Sequence, residues 1–353
     1  MMADSATMIE GHAVDLIDAT RLESWLAGHV EGDPPVRLER IGTDTGVGNA
    51  MFLVGWGDRE LVLRRPPATR VTPSAANVGR EARLLGALAA TDVRHPRLVA
   101  YCDDDVVLGS AFILMERVDG FTPVDPLPRP FDQDMAVRRG LGAEVVDALA
   151  ELAVVDWQAI GLDGFGKPDG FLARQVDRWL WQLGTYRTRP LADLDELTDW
   201  LRDHLPPPGP IGIMHGDYSL FNVMFSPRTP AHLAAIVDWD TATIGEPLMD
   251  LGHLLSRWDE PGEEPTALGT ADLADRTGLL TRAELADRYS ARTGVPLTDL
   301  RYYEVLSLFK LGCIMEGHYA RQVEAGVTEG GRFADTAPKI LRDAARIARG
   351  ERS

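Results

Sequence analysis

Two carboxylates and one carboxamide border short apolar runs in the middle of the chain. Asp217 and Asn222 lie between two such runs, and Asp238 ends a third. Short apolar runs bounded by polar residues are typical of buried strands, so the pattern predicts strands with these side chains at their ends. Asp217 could accept a hydroxyl proton, while Asn222 and Asp238 offer oxygen ligands that suit Mg²⁺ on phosphates. These groups together provide what phosphoryl transfer requires.

The pattern His-Gly-Asp-x-x-x-x-Asn at residues 215–222, followed by an apolar run and Asp238-Trp239, resembles the signature of a known family. This is the aminoglycoside phosphotransferase and choline kinase family, whose members are small-molecule relatives of protein kinases. The resemblance implies that Asp217 is the catalytic base and that His215 is a scaffold residue of the catalytic loop. It also implies that Asn222 and Asp238 are the metal ligands. The alternative is that Asp217 and Asn222 only cap a turn.

Composition limits the class of protein. A chain of 353 residues has room for about two domains or lobes, and its 45% hydrophobic and 25% charged residues are ordinary for a soluble globular protein. The net charge of −18 argues against a nucleic-acid partner and against an anionic membrane surface. The chain has no apolar run of the length that a membrane span needs, and its N-terminus lacks signal-peptide features. We therefore expect a cytoplasmic protein.

The first 118 residues predict a small lobe with an antiparallel sheet. Their order is helix, three strands, helix, two strands. The predicted strands are 36–41, 51–56, 60–65, 98–103 and 111–118, and the predicted helices are 18–30 and 73–90. A proline-rich segment at 121–130 then marks a boundary. We thus expect a nucleotide-binding lobe at 1–118 and a mainly helical lobe, with the catalytic loop and the substrate site, at 119–353.

The glycine-rich connection between the first two predicted strands indicates a phosphate-covering loop. Glycine lets backbone N–H groups approach phosphate oxygens closely, although many hairpin turns are also rich in glycine. The residues Gly46, Gly48 and Asn49 resemble the nucleotide loop of the same family. The resemblance implies that these three residues contact ATP.

The third predicted strand carries Val62 and Arg64 on one face, because side chains alternate along a strand. Its sequence Leu-Val-Leu-Arg stands where kinases have Val-Ala-Ile-Lys, so the resemblance implies that Val62 covers the adenine and that Arg64 reaches the phosphates. Arginine keeps the charge of the usual lysine and can grip phosphate oxygens with two N–H groups. The resemblance also implies that Glu81, on the following helix, forms an ion pair with Arg64. The alternative is a surface strand on which Arg64 and Arg65 are merely solvated.

Residues 115–120 resemble the family's hinge, which implies that the backbone of Glu116 and Val118 binds the adenine edge. After the hinge the chain is predicted to be mainly helical, with Asp250 at a helix start where it can bind N–H groups near the catalytic loop or simply favour the helix dipole. The predicted helices of this lobe are 134–157, 171–183, 191–205, 281–293, 300–325 and 332–349. The fold class is therefore predicted as α+β, a bilobal protein-kinase-like fold.

Segments such as 63–67, 115–118 and 242–252 resemble one branch of the family, the domain found fused to or encoded beside acyl-CoA dehydrogenases. The resemblance implies an ATP-dependent kinase, with GTP not excluded, that needs Mg²⁺ and phosphorylates a hydroxyl of a small metabolite such as a hydroxyacyl compound. Alternatives are an antibiotic phosphotransferase of the aminoglycoside type and a non-catalytic nucleotide-binding protein. A protein kinase is disfavoured because no Ala-Pro-Glu follows Asp238. The oligomeric state stays open.

Overall fold

Antiparallel strands and their flanking helices make up the first of two units into which the chain divides. The structure, a computed structural model, describes residues 17–41, 50–66, 78–266, 273, 275–326 and 333–351. The first unit comprises Met1–Ala89 and Pro96–Arg117, and the second comprises Ala90–His95 and Val118–Ser353.

The strands of the first unit pair in the order β1-β2-β3-β5-β4, and every neighbouring pair is antiparallel. The order of helices and strands agrees with the sequence prediction, apart from the short helix α3, which lies between the last two predicted strands. Asp104 caps this helix, since its side chain accepts a hydrogen bond from the Val106 N–H. The elements are α1 (Ala19–His29), β1 (Arg37–Ile41), β2 (Ala50–Trp56), β3 (Arg59–Arg65), α2 (Val78–Leu88), β4 (Leu98–Cys102), α3 (Asp105–Leu108) and β5 (Phe112–Glu116).

The two longer helices of this unit, α1 and α2, lie on opposite faces of the sheet. Leu61 and Leu63 of β3 belong to the apolar core that also contains Leu22 and Leu26 of α1. Side chains alternate between the faces of a strand, so Arg64 points away from this core. Its partner there is Glu81 of α2. The alternation predicted from the sequence is therefore present in β3.

The second unit is mainly helical, with two short antiparallel ladders that carry the catalytic loop. β6 pairs with β9, and β7 pairs with β8. Helix α9 packs against α7 and α10, and α4 packs against α8. The elements are α4 (Met135–Ala153), α5 (Gln175–Gly184), α6 (Leu194–Asp203), β6 (Gly212–Met214), β7 (Val223–Phe225), β8 (Leu233–Ile236), β9 (Thr243–Gly245), α7 (Leu248–Ser256), α8 (Arg282–Thr293), α9 (Leu300–Glu324) and α10 (Thr336–Ala348).

The structure of this unit differs from the sequence prediction at the ends of α4, α6 and α10 and at strand β9. Helix α4 was extended to Trp157 but ends at Ala153, because the Asp156 side chain accepts hydrogen bonds from the N–H groups of Gln158 and Ala159 and starts a turn. Strand β9 was not predicted, since it has only three residues and forms through its pairing with β6. The α+β class itself is confirmed. None of the helices in the described part of the chain is both long and apolar enough to span a membrane.

Candidate active site

The backbone of the catalytic loop is held by a buried carboxylate. The N–H groups of His215 and Gly216 donate to the two oxygens of Asp250 over 2.6 and 2.8 Å. Burial raises the pKa of Asp250, although the hydrogen bonds from these two N–H groups oppose the shift. Asp250 lies in the first turn of α7, so this helix fixes the start of the loop, as the sequence suggested.

The ring of His215 links two strand ends and is fully buried. Its Nδ1 accepts the Asp217 N–H over 3.3 Å, so its Nε2 carries the proton and donates to the Val237 carbonyl over 2.9 Å. The Trp239 ring packs against it with 4.9 Å between centroids. Both ring nitrogens are therefore occupied, and the scaffold role of His215 stays a prediction.

Gly216 can be only glycine without rearrangement of the loop. Its φ is +86°, a left-handed conformation that other residues rarely adopt, and an added Cβ would lie 2.7 Å from the Thr241 carbonyl oxygen. The Thr241 hydroxyl donates to the His215 carbonyl over 2.9 Å. The tight approach of these two segments places the Asp217 side chain just beyond the end of β6.

Asn222 binds both the backbone and the side chain of Asp217. Its Nδ2 donates to the Asp217 carbonyl over 2.8 Å and to Oδ2 of the carboxylate over 3.1 Å. A single 3₁₀ turn, Leu220–Asn222, brings the two residues together. Because the amide nitrogen faces Asp217, the Asn222 oxygen is left as an acceptor for another group.

Three basic residues surround the Asp217 carboxylate. His253 Nε2 lies 3.0 Å from Oδ1, Arg257 Nη1 lies 3.9 Å from the same oxygen, and the Lys310 ammonium donates to the Gly216 carbonyl. Burial raises the pKa of Asp217, but the His253 hydrogen bond and the charges of Arg257 and Lys310 outweigh it and hold the pKa well below its usual range. Burial lowers the pKa of His253 to about 4, despite its hydrogen bond to Asp217. At neutral pH the carboxylate is therefore ionised and the imidazole neutral.

Asp238 follows β8 in a left-handed conformation, with φ 64° and ψ 65°. Such a conformation is uncommon for residues other than glycine, and it often accompanies a functional constraint. The preceding Val237 N–H donates to the Asn222 carbonyl over 2.9 Å, so Asn222 and Asp238 stand at adjacent ends of the β7–β8 ladder.

The Asn222 amide oxygen and the Asp238 carboxylate form a donor set that fits Mg²⁺. The part of the chain that the structure describes contains no group of three or more His, Cys, Asp or Glu residues that could hold a metal ion unaided. Mg²⁺ commonly takes one or two protein oxygens and completes its shell with phosphates and water. The two residues would therefore hold the ion together with a nucleotide.

In the first unit, Arg64 and Glu81 form a buried ion pair, as predicted. Arg64 Nη1 lies 3.0 Å from Glu81 Oε1, and the two residues are only 5% and 2% exposed. Arg65 is also buried and donates to the Leu108 carbonyl over 2.9 Å. The alternative of a surface strand with solvated arginines is therefore wrong. Val62 pairs with Met115 of β5 and is partly exposed, on the Arg64 face of β3.

Replacing Glu81 by Ala should leave the Arg64 charge buried without this partner. We expect the free energy of unfolding to fall by about 3–5 kcal/mol, as is typical when one partner of a buried pair is removed. Glu60→Ala is the matched control, because the Glu60–Arg117 pair lies in the same unit but is exposed and should contribute about 0–1 kcal/mol. Urea unfolding measures both variants. Equal losses in the two would contradict the prediction.

The structure does not establish the other predicted nucleotide contacts. The Glu116 N–H donates to the Arg97 carbonyl over 2.9 Å, so only its carbonyl oxygen could serve an adenine. Val118 begins the second unit and is partly buried. Gly46, Gly48 and Asn49 lie outside the described residues. The roles of these five residues at a nucleotide stay predictions.

Sequence reasoning missed His253, Arg257 and Lys310 as neighbours of Asp217. A signal existed for the first two, because Asp250, His253 and Arg257 follow a helical spacing that places them on one face of α7 and its C-terminal extension. Since Asp250 was expected to lie near the catalytic loop, His253 and Arg257 on the same helix face could have been expected there too. No local signal pointed to Lys310, which reaches the loop from α9.

A sequence model of the phosphotransferase enzyme family matches residues 41–286 of the chain. Among curated proteins, acyl-CoA dehydrogenase family member 10 of Mus musculus is 31% identical over 305 residues, or 86% of this chain. Acyl-CoA dehydrogenase family member 11 of Homo sapiens is 29% identical over 328 residues, or 90% of this chain. The chain spans 28% and 41% of the lengths of these two relatives. It is thus similar to one part of longer proteins.

The chain is also similar to solved structures of phosphotransferases and kinases. A candidate aminoglycoside phosphotransferase from Ralstonia eutropha is 31% identical, with a TM-score of 0.78 over 95% of this chain and 99% of that chain. An ethanolamine kinase of Plasmodium vivax is 12% identical, with a TM-score of 0.58 over 90% of this chain and 83% of that chain. An aminoglycoside phosphotransferase in complex with ADP and hygromycin B is 14% identical, with a TM-score of 0.60 over 94% of this chain and 99% of that chain. These similarities confirm the predicted protein-kinase-like α+β fold.

Proposed function

Because the chain belongs to the phosphotransferase enzyme family, we propose that it is an ATP-dependent small-molecule kinase that phosphorylates a hydroxyl group of a metabolite. In this proposal Asp217 accepts the hydrogen bond of the acceptor hydroxyl and takes up its proton as the new oxygen–phosphorus bond forms. The bond between the γ-phosphorus and the β–γ bridging oxygen breaks, and ADP leaves. The ionised state of Asp217 and the two donors on its carboxylate, Asn222 and His253, support this role.

Each unit by itself contains residues that suit a part of an ATP–Mg²⁺ complex. Arg64, oriented by Glu81, offers N–H donors to phosphate oxygens. Asn222 and Asp238 offer oxygen ligands for Mg²⁺, which when bound with ATP neutralises charge on the phosphates. A related aminoglycoside phosphotransferase binds ADP, which supports nucleotide use by a chain of this fold.

The acceptor in our proposal is a hydroxylated acyl-type compound rather than a polycationic amino sugar. One observation carries this choice: His253, Arg257 and Lys310 all face Asp217, the point at which the acceptor hydroxyl must arrive. Several ammonium groups near the hydroxyl would meet the positive charges of Arg257 and Lys310, whereas a carboxylate or a phosphate on the acceptor would be attracted. The names of the curated relatives, acyl-CoA dehydrogenase family members 10 and 11, also support an acyl compound.

A direct comparison of acceptors tests this proposal. We expect ATP and Mg²⁺ to yield ADP faster with hydroxybutyrate or hydroxybutyryl-CoA than with kanamycin, as measured by a coupled assay of ADP release. The Asp217→Asn variant serves as the control for contaminating ATPase activity. Efficient turnover of kanamycin with neither hydroxyacyl compound accepted would overturn the proposed acceptor and favour an antibiotic phosphotransferase.

A further inference from the structure

We propose that His253 is a positioning residue, which holds one carboxylate oxygen of Asp217 so that the carboxylate meets the acceptor hydroxyl in a fixed orientation. This inference rests on the proposed role of Asp217 as the base. The terminal torsion of an aspartate is soft, so a carboxylate with one partner can rotate. His253 Nε2 at 3.0 Å from Oδ1 and Asn222 Nδ2 at 3.1 Å from Oδ2 together remove that freedom.

The helix that carries His253 is buried along its whole length. His253 lies on α7, where every residue from Leu248 to Ser256 is buried, and its own exposure is 3%. The same helix face carries Asp250, which holds the N–H groups of His215 and Gly216. One helix therefore fixes both the backbone of the loop and the side chain of its carboxylate.

The proton of the neutral ring can be assigned from its neighbours. Nε2 lies 3.0 Å from both Asp217 Oδ1 and Arg257 Nη1, and a single nitrogen cannot donate to the first and accept from the second. An ionised carboxylate has no proton to give, so Nε2–H must donate to Asp217.

Arg257 supports the arrangement through its charge. It contributes to the low pKa of His253, after burial, and thereby favours the neutral ring. It also lies 3.9 Å from Asp217 Oδ1 and favours the ionised carboxylate. The hydrogen bond is consequently that of a neutral N–H donor with a charged acceptor.

Two variants separate positioning from simple packing. His253→Leu removes the donor, and His253→Gln replaces it with an amide N–H of similar reach. We expect His253→Leu to lower kcat for hydroxybutyryl-CoA about 10–100-fold, since small misplacements of catalytic groups have effects of this size. His253→Gln should recover kcat to within about threefold of the wild type. The KM for ATP should change little in either variant.

Several outcomes would overturn the inference. One is that His253→Leu keeps full kcat; another is that the Gln variant, although folded, is as slow as the Leu variant. Nitrogen NMR of histidine-labelled wild-type protein gives a test that needs no stable variant: it should show His253 protonated at Nε2, and an Nδ1–H tautomer would refute the assignment. If Asp217→Asn retains turnover, the proposed function itself fails; if only His253→Leu does, that function stands and the positioning role falls.

Discussion

Replacement of Asp217 by Asn is expected to lower kcat by about 10²–10⁴, the usual contribution of a general base. The carboxamide keeps the shape of the side chain and one oxygen, but it cannot take up the hydroxyl proton. The Kd for the ATP–Mg²⁺ complex should stay nearly unchanged, because the proposed ligands of the metal are Asn222 and Asp238. Coupled ADP release gives kcat, and calorimetry with a non-hydrolysable ATP analogue gives the Kd.

Two further measurements make this test specific. Asp199→Asn, at an exposed position on α6, is the matched control for a change of one negative charge and should retain full turnover. Circular dichroism should show that the Asp217 variant is folded. Near-full turnover by the Asp217 variant would contradict the assignment of the base.

Replacement of Asp238 by Ala is expected to abolish the part of nucleotide affinity that depends on Mg²⁺. The carboxylate is the only charged ligand of the proposed pair, and Mg²⁺ binds neutral oxygens alone much more weakly when it must shed water. Calorimetry with an ATP analogue, with Mg²⁺ and with EDTA, measures the difference between the two affinities. That difference should disappear in the variant.

The backbone at Asp238 calls for a second variant. Alanine is less tolerant of a left-handed conformation than aspartate, so Asp238→Ala could disturb the loop as well as the ligand. Asp238→Asn accepts that conformation and removes only the charge, so it should keep the fold and lose most of the Mg²⁺ dependence. An unchanged Mg²⁺ dependence in both variants would show that the metal binds elsewhere.

Much of the fold could be predicted from the sequence because its signals are local. The alternation in β3 predicted that Arg64 and Val62 share a face. The family resemblance predicted that Arg64 pairs with Glu81, and their 3.0 Å contact confirms it. The end of α4 and the strand β9 could not be predicted in the same way. The first depends on a turn formed by Asp156, and the second has three residues whose pairing comes from β6.

The sequence by itself determined which residues form the candidate catalytic loop, because their contacts are short-range. A single turn joins Asp217 to Asn222, and β7 and β8 are close along the chain and return Asp238 to the same end of their ladder. Only the tertiary structure decided the electrostatic environment of Asp217. His253, Arg257 and Lys310 are distant in sequence and reach the carboxylate because α7 and α9 pack together beside the loop. The charge state of a carboxylate depends on all charges within several ångströms, and sequence spacing cannot supply those distances.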